Sequence, residues 1–96
     1  MKSKATIWYV YLIEAEGRPW GGMGWTKYYY CGITIDLQRR FDAHKNGTGA
    51  KFFSRGNKVP LKIAYTEEYP DRSSASKREY EIKQLSHAEK KKLCGK

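Results

Sequence analysis

A basic pair of side chains lies on the first predicted helix. Arg40 and His44 are four residues apart, so they project from the same side of that helix. Leu37 and Phe41 mark its apolar side, and the basic pair lies at the border of this side. An arginine beside an apolar surface has a fixed position, which clamping a phosphate requires. A solvated basic edge is the ordinary alternative.

A carboxylate interrupts the apolar side of the second predicted helix. Ala75, Glu79 and Ile82 follow a spacing of four and then three residues, which places them on one helix face. A carboxylate in the middle of such a face loses hydration unless another group compensates. A salt bridge to Arg40 or to a lysine is one explanation. Coordination of a hard divalent cation is the other.

Two tyrosine motifs lie in the first two predicted strands. Tyr9-Val10-Tyr11 is in the first strand, and Tyr30-Cys31-Gly32 ends the second. If the strands form a hairpin, the phenols of Tyr11 and Tyr30 can meet across it. Cross-strand aromatic pairs are also common in ordinary packing, so the motifs alone do not define a site.

Three segments have the composition or the boundaries of β-strands. They are Ile7–Ala15, Tyr28–Ile33 and Leu61–Glu67. Glu16–Lys27 is rich in glycine and is predicted to be a long connection. Thr48–Val59 is polar and basic and is predicted to be a second loop.

Helix starts are marked by residues that cap helices. The candidates are Asp36 or Thr34, Asp71 or Ser73, and Ser86. The first helix should end at Asn46-Gly47 and the second near Leu85, and the end of the third, Lys90–Lys96, is expected to fray. The order β-β-α-β-α-α predicts a single α+β domain over residues 1–96, with a small three-stranded antiparallel sheet flanked by helices.

Charge and composition limit the classes of partner. The 96 residues include 19 Lys+Arg against 10 Asp+Glu, a net charge of +9. Such a charge favours polyanions, with nucleic acid first and an anionic membrane surface second. The sequence lacks an apolar run long enough to span a bilayer.

The expected compartment is the cytoplasm. Met1–Ile7 has no apolar signal segment. Cys31 and Cys94 are too few for a zinc quartet and fit a reducing compartment. The sequence does not define an oligomeric state, and a monomer is the default expectation.

Taken together, these motifs resemble the GIY-YIG endonuclease family. Tyr9-Val10-Tyr11 and Tyr30-Cys31-Gly32 are followed by Arg40, ten residues after Tyr30, then by His44 and by Glu79 in the second helix. The resemblance extends from about Trp8 to Leu93, and small stand-alone bacterial members of the family are the most similar. Three phrases typical of those members are present: Trp8–Leu12, Gly32–Arg40 and Arg78–Lys83.

Two motif positions depart from the family pattern. Tyr9 replaces the glycine of the first motif, and Cys31 replaces the isoleucine of the second. Both are expected to be backbone or packing positions. The loop Glu16–Lys27 is also longer than usual, and its Trp20 and Trp25 could stack on bases or cover an apolar edge.

The resemblance implies hydrolysis of a phosphodiester with one Mg²⁺ or Mn²⁺. It implies that Glu79 holds the ion and that Tyr11 activates the attacking water, with its phenolate favoured by the ion and by Arg40. Tyr30 would position water or a phosphate oxygen, and Arg40 would neutralise charge in the transition state. His44 would orient the phosphate or pair with Tyr11.

Further residues are assigned supporting roles. Gly32 is expected to let the backbone approach closely beside Tyr30. Arg39 would strengthen the positive field, and Lys83 is an outer candidate only. Contacts to the nucleic-acid backbone are assigned to a basic set around the site: Arg39, Lys45, Lys51, Arg55 and Lys58.

Three alternatives to a free-standing DNA endonuclease stay open. A non-catalytic nucleic-acid-binding module could keep the fold, although the presence of Tyr11, Arg40 and Glu79 favours activity. A repair or recombination subunit could cut only within a complex. A membrane-surface protein ranks last, because no basic amphipathic helix of the required kind is evident.

Overall fold

The computed structural model describes residues 6–17, 26–46 and 58–95, with the side chains of residues 26 and 58 left out. Its order of elements is β-β-α-β-α-α, as predicted. Within these residues, three antiparallel strands form one sheet, and three helices flank it. The predicted α+β class is therefore confirmed.

The first two strands form a hairpin that is longer than predicted. Strand β1 is Trp8–Gly17 and strand β2 is Thr26–Thr34, so each extends two residues further toward the connection. The prediction that Glu16–Lys27 is all connection is therefore wrong. Lys27 Nζ lies 2.8 Å from a carboxylate oxygen of the buried Glu14, an ion pair between the two strands at this end of the hairpin.

Strand β3, Lys58–Tyr69, pairs with β1 on the side opposite β2. It begins three residues before the predicted Leu61, so Lys58 and Val59 belong to the strand and not to the loop. Pro60 lies inside it, opposite Ala15 and beside a register shift. An outer strand tolerates a proline because one edge of its backbone needs no hydrogen bonds within the sheet.

The helices begin where cap chemistry predicts. Helices α1 (Leu37–Lys45), α2 (Arg72–Lys83) and α3 (His87–Leu93) are capped by Asp36, Asp71 and Ser86. Ser86 and Glu89 form the predicted capping box. The expectation of a frayed end is wrong for residues 90–93, which are helical. Among the helices described, none is long and apolar enough to cross a membrane.

The central strand divides the core into two faces. Tyr11, Ile13 and Ala15 point to one face, where Leu37 and Phe41 of α1 pack; we call it the α1 face. Successive side chains of a strand point to opposite sides, so the alternate residues of β1 and β2 meet α2 on the other face. This α2 face contains Val10, Leu12, Tyr29, Cys31, Ala75 and Ile82.

Helix α2 is fixed to the outer strand β3 by a network around one carboxylate. The guanidinium of Arg78 donates to both carboxylate oxygens of Glu67, with distances between 2.9 and 3.2 Å. The phenols of Tyr65 and Tyr69 donate to the same carboxylate. Burial would raise the pKa of Glu67, but these hydrogen bonds outweigh burial and lower it below its usual value. The network fixes the position of the helix that carries Glu79.

Candidate functional site

The centre of the site is a hydrogen bond between Tyr11 and His44. The Tyr11 hydroxyl lies 2.9 Å from His44 Nε2, and the two residues are only 2% and 1% exposed. Strand β1 supplies the tyrosine from the middle of the sheet, and the last turn of α1 supplies the histidine. The predicted pairing of Tyr11 with His44 is therefore present.

Tyr30 completes a cluster of three rings. Its ring centroid lies 5.1 Å from that of His44 and 6.4 Å from that of Tyr11. Tyr30 pairs with Ile13 in the register, whereas Tyr11 pairs with Gly32, so the two tyrosines are diagonal neighbours on the α1 face. Tyr30 is half-buried, so this ring is more accessible than that of Tyr11.

Gly32 provides the space that Tyr11 occupies. A Cβ atom on residue 32 would lie 2.4 Å from the hydroxyl oxygen of Tyr11 and 2.7 Å from Cζ. Both distances are well below normal contact. The expected close approach of the Gly32 backbone is present, and the group that it admits is the phenol of Tyr11 across the ladder.

Arg40 acts on the same phenol. Burial raises the pKa of Tyr11 to about 12, while the Arg40 guanidinium, as a hydrogen-bond donor and as a charge, acts to lower it. Arg40 therefore acts in the direction that the sequence predicts, but burial has the larger effect. In the protein alone, the Tyr11 phenol is protonated at neutral pH.

His44 is neutral for related reasons. Burial and the positive charge of Arg40 together lower its pKa to about 4. A neutral imidazole can accept the hydrogen of a protonated phenol at Nε2 when the ring proton is on Nδ1. The pair is therefore a hydrogen bond between two neutral groups, with the phenol proton on Tyr11.

A cleft opens at the start of α1, and Arg40, the hydrogen-bond partner of Tyr11, lies in its lining. It has a volume of about 480 Å³, and its lining combines two guanidinium-bearing residues with the end of β2: Thr34, Ile35, Asp36, Arg39, Arg40 and Ala43. Arg39 is exposed and Arg40 is half-buried. Two guanidinium groups on one wall suit an oxyanion such as a phosphate.

Glu79 is not part of the ring cluster. It lies on α2, which packs on the opposite face of the sheet, and its side chain is 23% exposed. Its carboxylate lies 3.2 Å from Lys83 Nζ, four residues further along the helix. The salt bridge that the sequence leaves open is present, with a lysine as the partner.

The charge of Glu79 acts on the thiol of Cys31 in β2. Burial raises the pKa of the Cys31 thiol to about 12, and the carboxylate of Glu79 is the next largest cause. Cys31 follows Tyr30 directly in β2, which is an outer strand of the sheet. Glu79 and the ring cluster therefore lie on opposite faces of the same short stretch of one outer strand.

The remaining predicted contacts are only partly described. Lys45 is exposed at the end of α1, with its ammonium 5.9 Å from the centroid of Phe41. Lys51 and Arg55 lie outside the described residues, as do Trp20 and Trp25. Lys58 begins β3, and its side chain is not described.

The donor set around Glu79 fits one type of metal site. Within residues 6–17, 26–46 and 58–95, no cluster of three or more His, Cys, Asp or Glu could enclose an ion. Magnesium, however, is commonly bound by one or two carboxylates and completes its shell with water and substrate phosphate. A single partly exposed carboxylate therefore fits Mg²⁺ or Mn²⁺ bound in this manner, and does not fit a closed protein cage.

Sequence reasoning missed two relations that the structure provides. It assigned Gly32 to Tyr30, whereas the atom pair in closest approach involves Tyr11. It also ranked Lys83 as an outer residue, although Lys83 is the ion-pair partner of Glu79. The spacing of four residues between Glu79 and Lys83 was the available signal.

Comparison with known proteins assigns a family to this arrangement. Residues 7–92 match the family described as the GIY-YIG catalytic domain. A UPF0213 protein from Halobacterium salinarum is 48% identical over 85 residues, which cover 88% of this chain and 96% of that protein. A UPF0213 protein from Xanthomonas campestris is 41% identical over 83 residues, or 86% of this chain and 71% of that one.

One solved structure is also similar. It is the solution NMR structure of a UPF0213 protein from Bacillus halodurans, which is 32% identical. The match covers 93% of this chain and 83% of that chain, with a TM-score of 0.47.

A methyl group at position 32 should disrupt the centre of the site. Gly32→Ala is expected to push the Tyr11 phenol away from His44 and to lower the free energy of unfolding by about 1–3 kcal/mol, as overpacking of a core does. Denaturant unfolding measures this loss. The same substitution in a Tyr11→Leu background should cost clearly less, and an equal cost in both backgrounds would show that Tyr11 is not the group displaced.

The low pKa of His44 should appear as a loss of stability in acid. Because the pKa of His44 in the folded state, about 4, is below the ordinary histidine value of 6.5, the unfolded chain binds the proton first. The stabilising contribution of neutral His44 is complete above pH 6.5 and should be lost as the pH falls toward 4. His44→Gln should show a flatter pH dependence of unfolding in this window, and NMR titration of His44 with a midpoint near 6.5 would contradict the account.

Proposed function

Because this chain belongs to the GIY-YIG family, we propose that it is a metal-dependent endonuclease that hydrolyses phosphodiester bonds in DNA. Single-stranded or branched DNA is the substrate form that we favour. The observation that supports this proposal best is the group of Tyr11, Tyr30, Arg40 and His44 beside a cleft with two arginines.

In the proposed reaction, Arg40 binds the scissile phosphate and offsets the charge that develops on it. Arg40 is half-buried, and its guanidinium donates a hydrogen bond to the buried phenol of Tyr11. A preorganised donor of this kind stabilises a transition state without reorganisation. Arg39, on the same wall of the cleft, adds to the positive field.

The two tyrosines take different parts because their burial differs. Tyr30, the more accessible ring, positions the attacking water or a phosphate oxygen. Tyr11 accepts the proton of that water as a phenolate. Burial of Tyr11 disfavours the phenolate, and Arg40 favours it both as a hydrogen-bond donor and as a positive charge. His44, which burial and Arg40 keep neutral, positions the Tyr11 hydroxyl through its Nε2 atom.

Glu79 is the residue that would hold Mg²⁺ or Mn²⁺ through its carboxylate. When bound, such an ion polarises the phosphoryl group and stabilises the leaving oxygen. The role of the protein is to present Glu79 beside Cys31, on the strand that carries Tyr30 on its other face. We propose that the two halves of the site meet at the edge of β2.

Binding of the DNA backbone relies on positive charge around the cleft. The proposed contacts are Arg39, Lys45, Lys51, Arg55 and Lys58, in a chain with a net charge of +9. Contacts of this kind position a nucleic acid without reading its sequence, and they weaken as salt rises.

A second candidate function is a nucleic-acid-binding module or an accessory domain that does not cut by itself. Two features of the site in the absence of metal and DNA favour this second candidate. Glu79 is engaged by Lys83, and burial raises the pKa of Tyr11. Both candidates bind DNA, so only a cleavage assay separates them.

Removing the Glu79 carboxylate should abolish cleavage without preventing folding. Glu79→Gln is expected to reduce the rate on labelled single-stranded, duplex and branched DNA by about a hundredfold or more in Mg²⁺, because the ion that polarises the phosphoryl group loses its protein ligand. Glu81→Gln is the matched control, since Glu81 is an exposed carboxylate on the same helix.

The outcomes of this assay separate the two candidates. Cleavage that requires metal, is lost in Glu79→Gln and is kept in Glu81→Gln supports the endonuclease. Tight binding of DNA with no cleavage of any of the three substrates supports the binding module. Equal cleavage by both variants would exclude Glu79 as the metal ligand.

A further inference from the structure

Lys83 lies where a metal ion would approach Glu79. Its ammonium is 3.2 Å from Oε2 of Glu79, one helical turn away. The lysine side chain is 48% exposed and the glutamate 23%, so the ion pair is accessible to solvent. An ion bound by Glu79 at the short distances typical of Mg²⁺ would place two cations next to one carboxylate.

The charges of this pair act on the Cys31 thiol of β2. After Glu79, Lys83 and then Lys90 are the largest charges acting on that thiol, and they act in the opposite direction. Lys83 is exposed on α2, and Lys90 on α3 is a second cation whose charge acts on the same thiol.

We propose that Lys83 is a positioning residue that holds the Glu79 carboxylate in the metal-free protein and must be displaced when the ion binds. This inference depends on the proposed function, because it assumes that Glu79 is the metal ligand. Its consequence is that the ion competes with an internal ammonium group, so metal affinity is set lower than the carboxylate alone would give. At low metal concentration, the ion pair therefore lowers the fraction of the protein that holds the ion.

Removal of Lys83 should change metal affinity in a direction that a purely structural role of Lys83 would not give. If Lys83 only stabilised α2, its removal would lower stability and leave metal affinity unchanged or weaker. If Lys83 competes with the ion, Lys83→Gln should bind metal more tightly although it has lost an ion pair. Removing one partly exposed pair and one nearby positive charge is expected to tighten binding about threefold to tenfold.

The test is a titration of the full chain with Mg²⁺, in the absence of DNA, followed by NMR chemical shifts of the amides in α2. Dissociation constants are compared for the unchanged protein, Lys83→Gln, Lys83→Arg and Lys77→Gln. Lys77 is exposed on the same helix, so Lys77→Gln removes the same charge at a different place. Thermal unfolding of each variant verifies that the fold is kept.

The expected result is tighter binding in Lys83→Gln, with Lys83→Arg and Lys77→Gln close to the unchanged protein. Equal or weaker binding in Lys83→Gln, or the same gain in Lys77→Gln, overturns the proposal.

A Glu79→Gln titration separates this failure from failure of the proposed function. If Glu79→Gln loses the Mg²⁺-dependent shifts while Lys83→Gln shows no gain, only the inference about Lys83 is wrong. If Glu79→Gln binds Mg²⁺ as the unchanged protein does, the ion is not held at Glu79. The proposed metal-dependent function of Glu79 and the proposed role of Lys83 are then both wrong.

Discussion

The arrangement of the site depends on one buried contact, the phenol of Tyr11 lying against the backbone of Gly32. Tyr11 comes from the central strand, so its ring is fixed by packing on the α1 face. Gly32, its partner in the neighbouring strand, leaves the space for its hydroxyl group to reach His44. Because the phenol and the imidazole are both buried, the pKa of Tyr11 is raised and that of His44 is lowered. Both groups are thus neutral, and the hydrogen bond between them positions the phenol.

The second constraint is the alternation of side chains along β2. Tyr30 points to the α1 face and Cys31 to the α2 face, as successive residues of a strand must. The same strand is therefore next to the ring cluster on one side and to Glu79 on the other. Because β2 is an outer strand of the sheet, a substrate at its edge could meet groups from both faces. The network of Glu67 and Arg78 fixes α2 and so fixes the position of Glu79.

Local chemistry explains which parts of the fold the sequence predicts. The caps Asp36, Asp71 and Ser86 act within three residues, so the helix starts could be found without tertiary information. Strand ends depend on pairing with distant residues. The extension of β1 and β2 involves partners such as Glu14 and Lys27, which the sequence places thirteen residues apart without showing their contact.

The site, like the fold, could be predicted from the sequence where local spacing determines it, and not where tertiary packing does. The spacing of Arg40 and His44 placed both on one side of α1, and the hairpin brought Tyr11 and Tyr30 to one face. The face on which α2 packs, and hence the separation of Glu79 from the rings, follows from tertiary packing. The high pKa of Tyr11 also depends on burial, which a list of nearby charges does not reveal.

The central claim, that Glu79 and the rings serve one site at the edge of β2, can be tested by locating a bound ion. Paramagnetic relaxation of side-chain protons by Mn²⁺ gives distances from the ion to residues on both faces. The account predicts an ion about as close to the Tyr30 and Arg40 side chains as to Cys31. An ion that lies on the α2 face alone, much closer to Ala75 and Ile82 than to Tyr30, would contradict this claim.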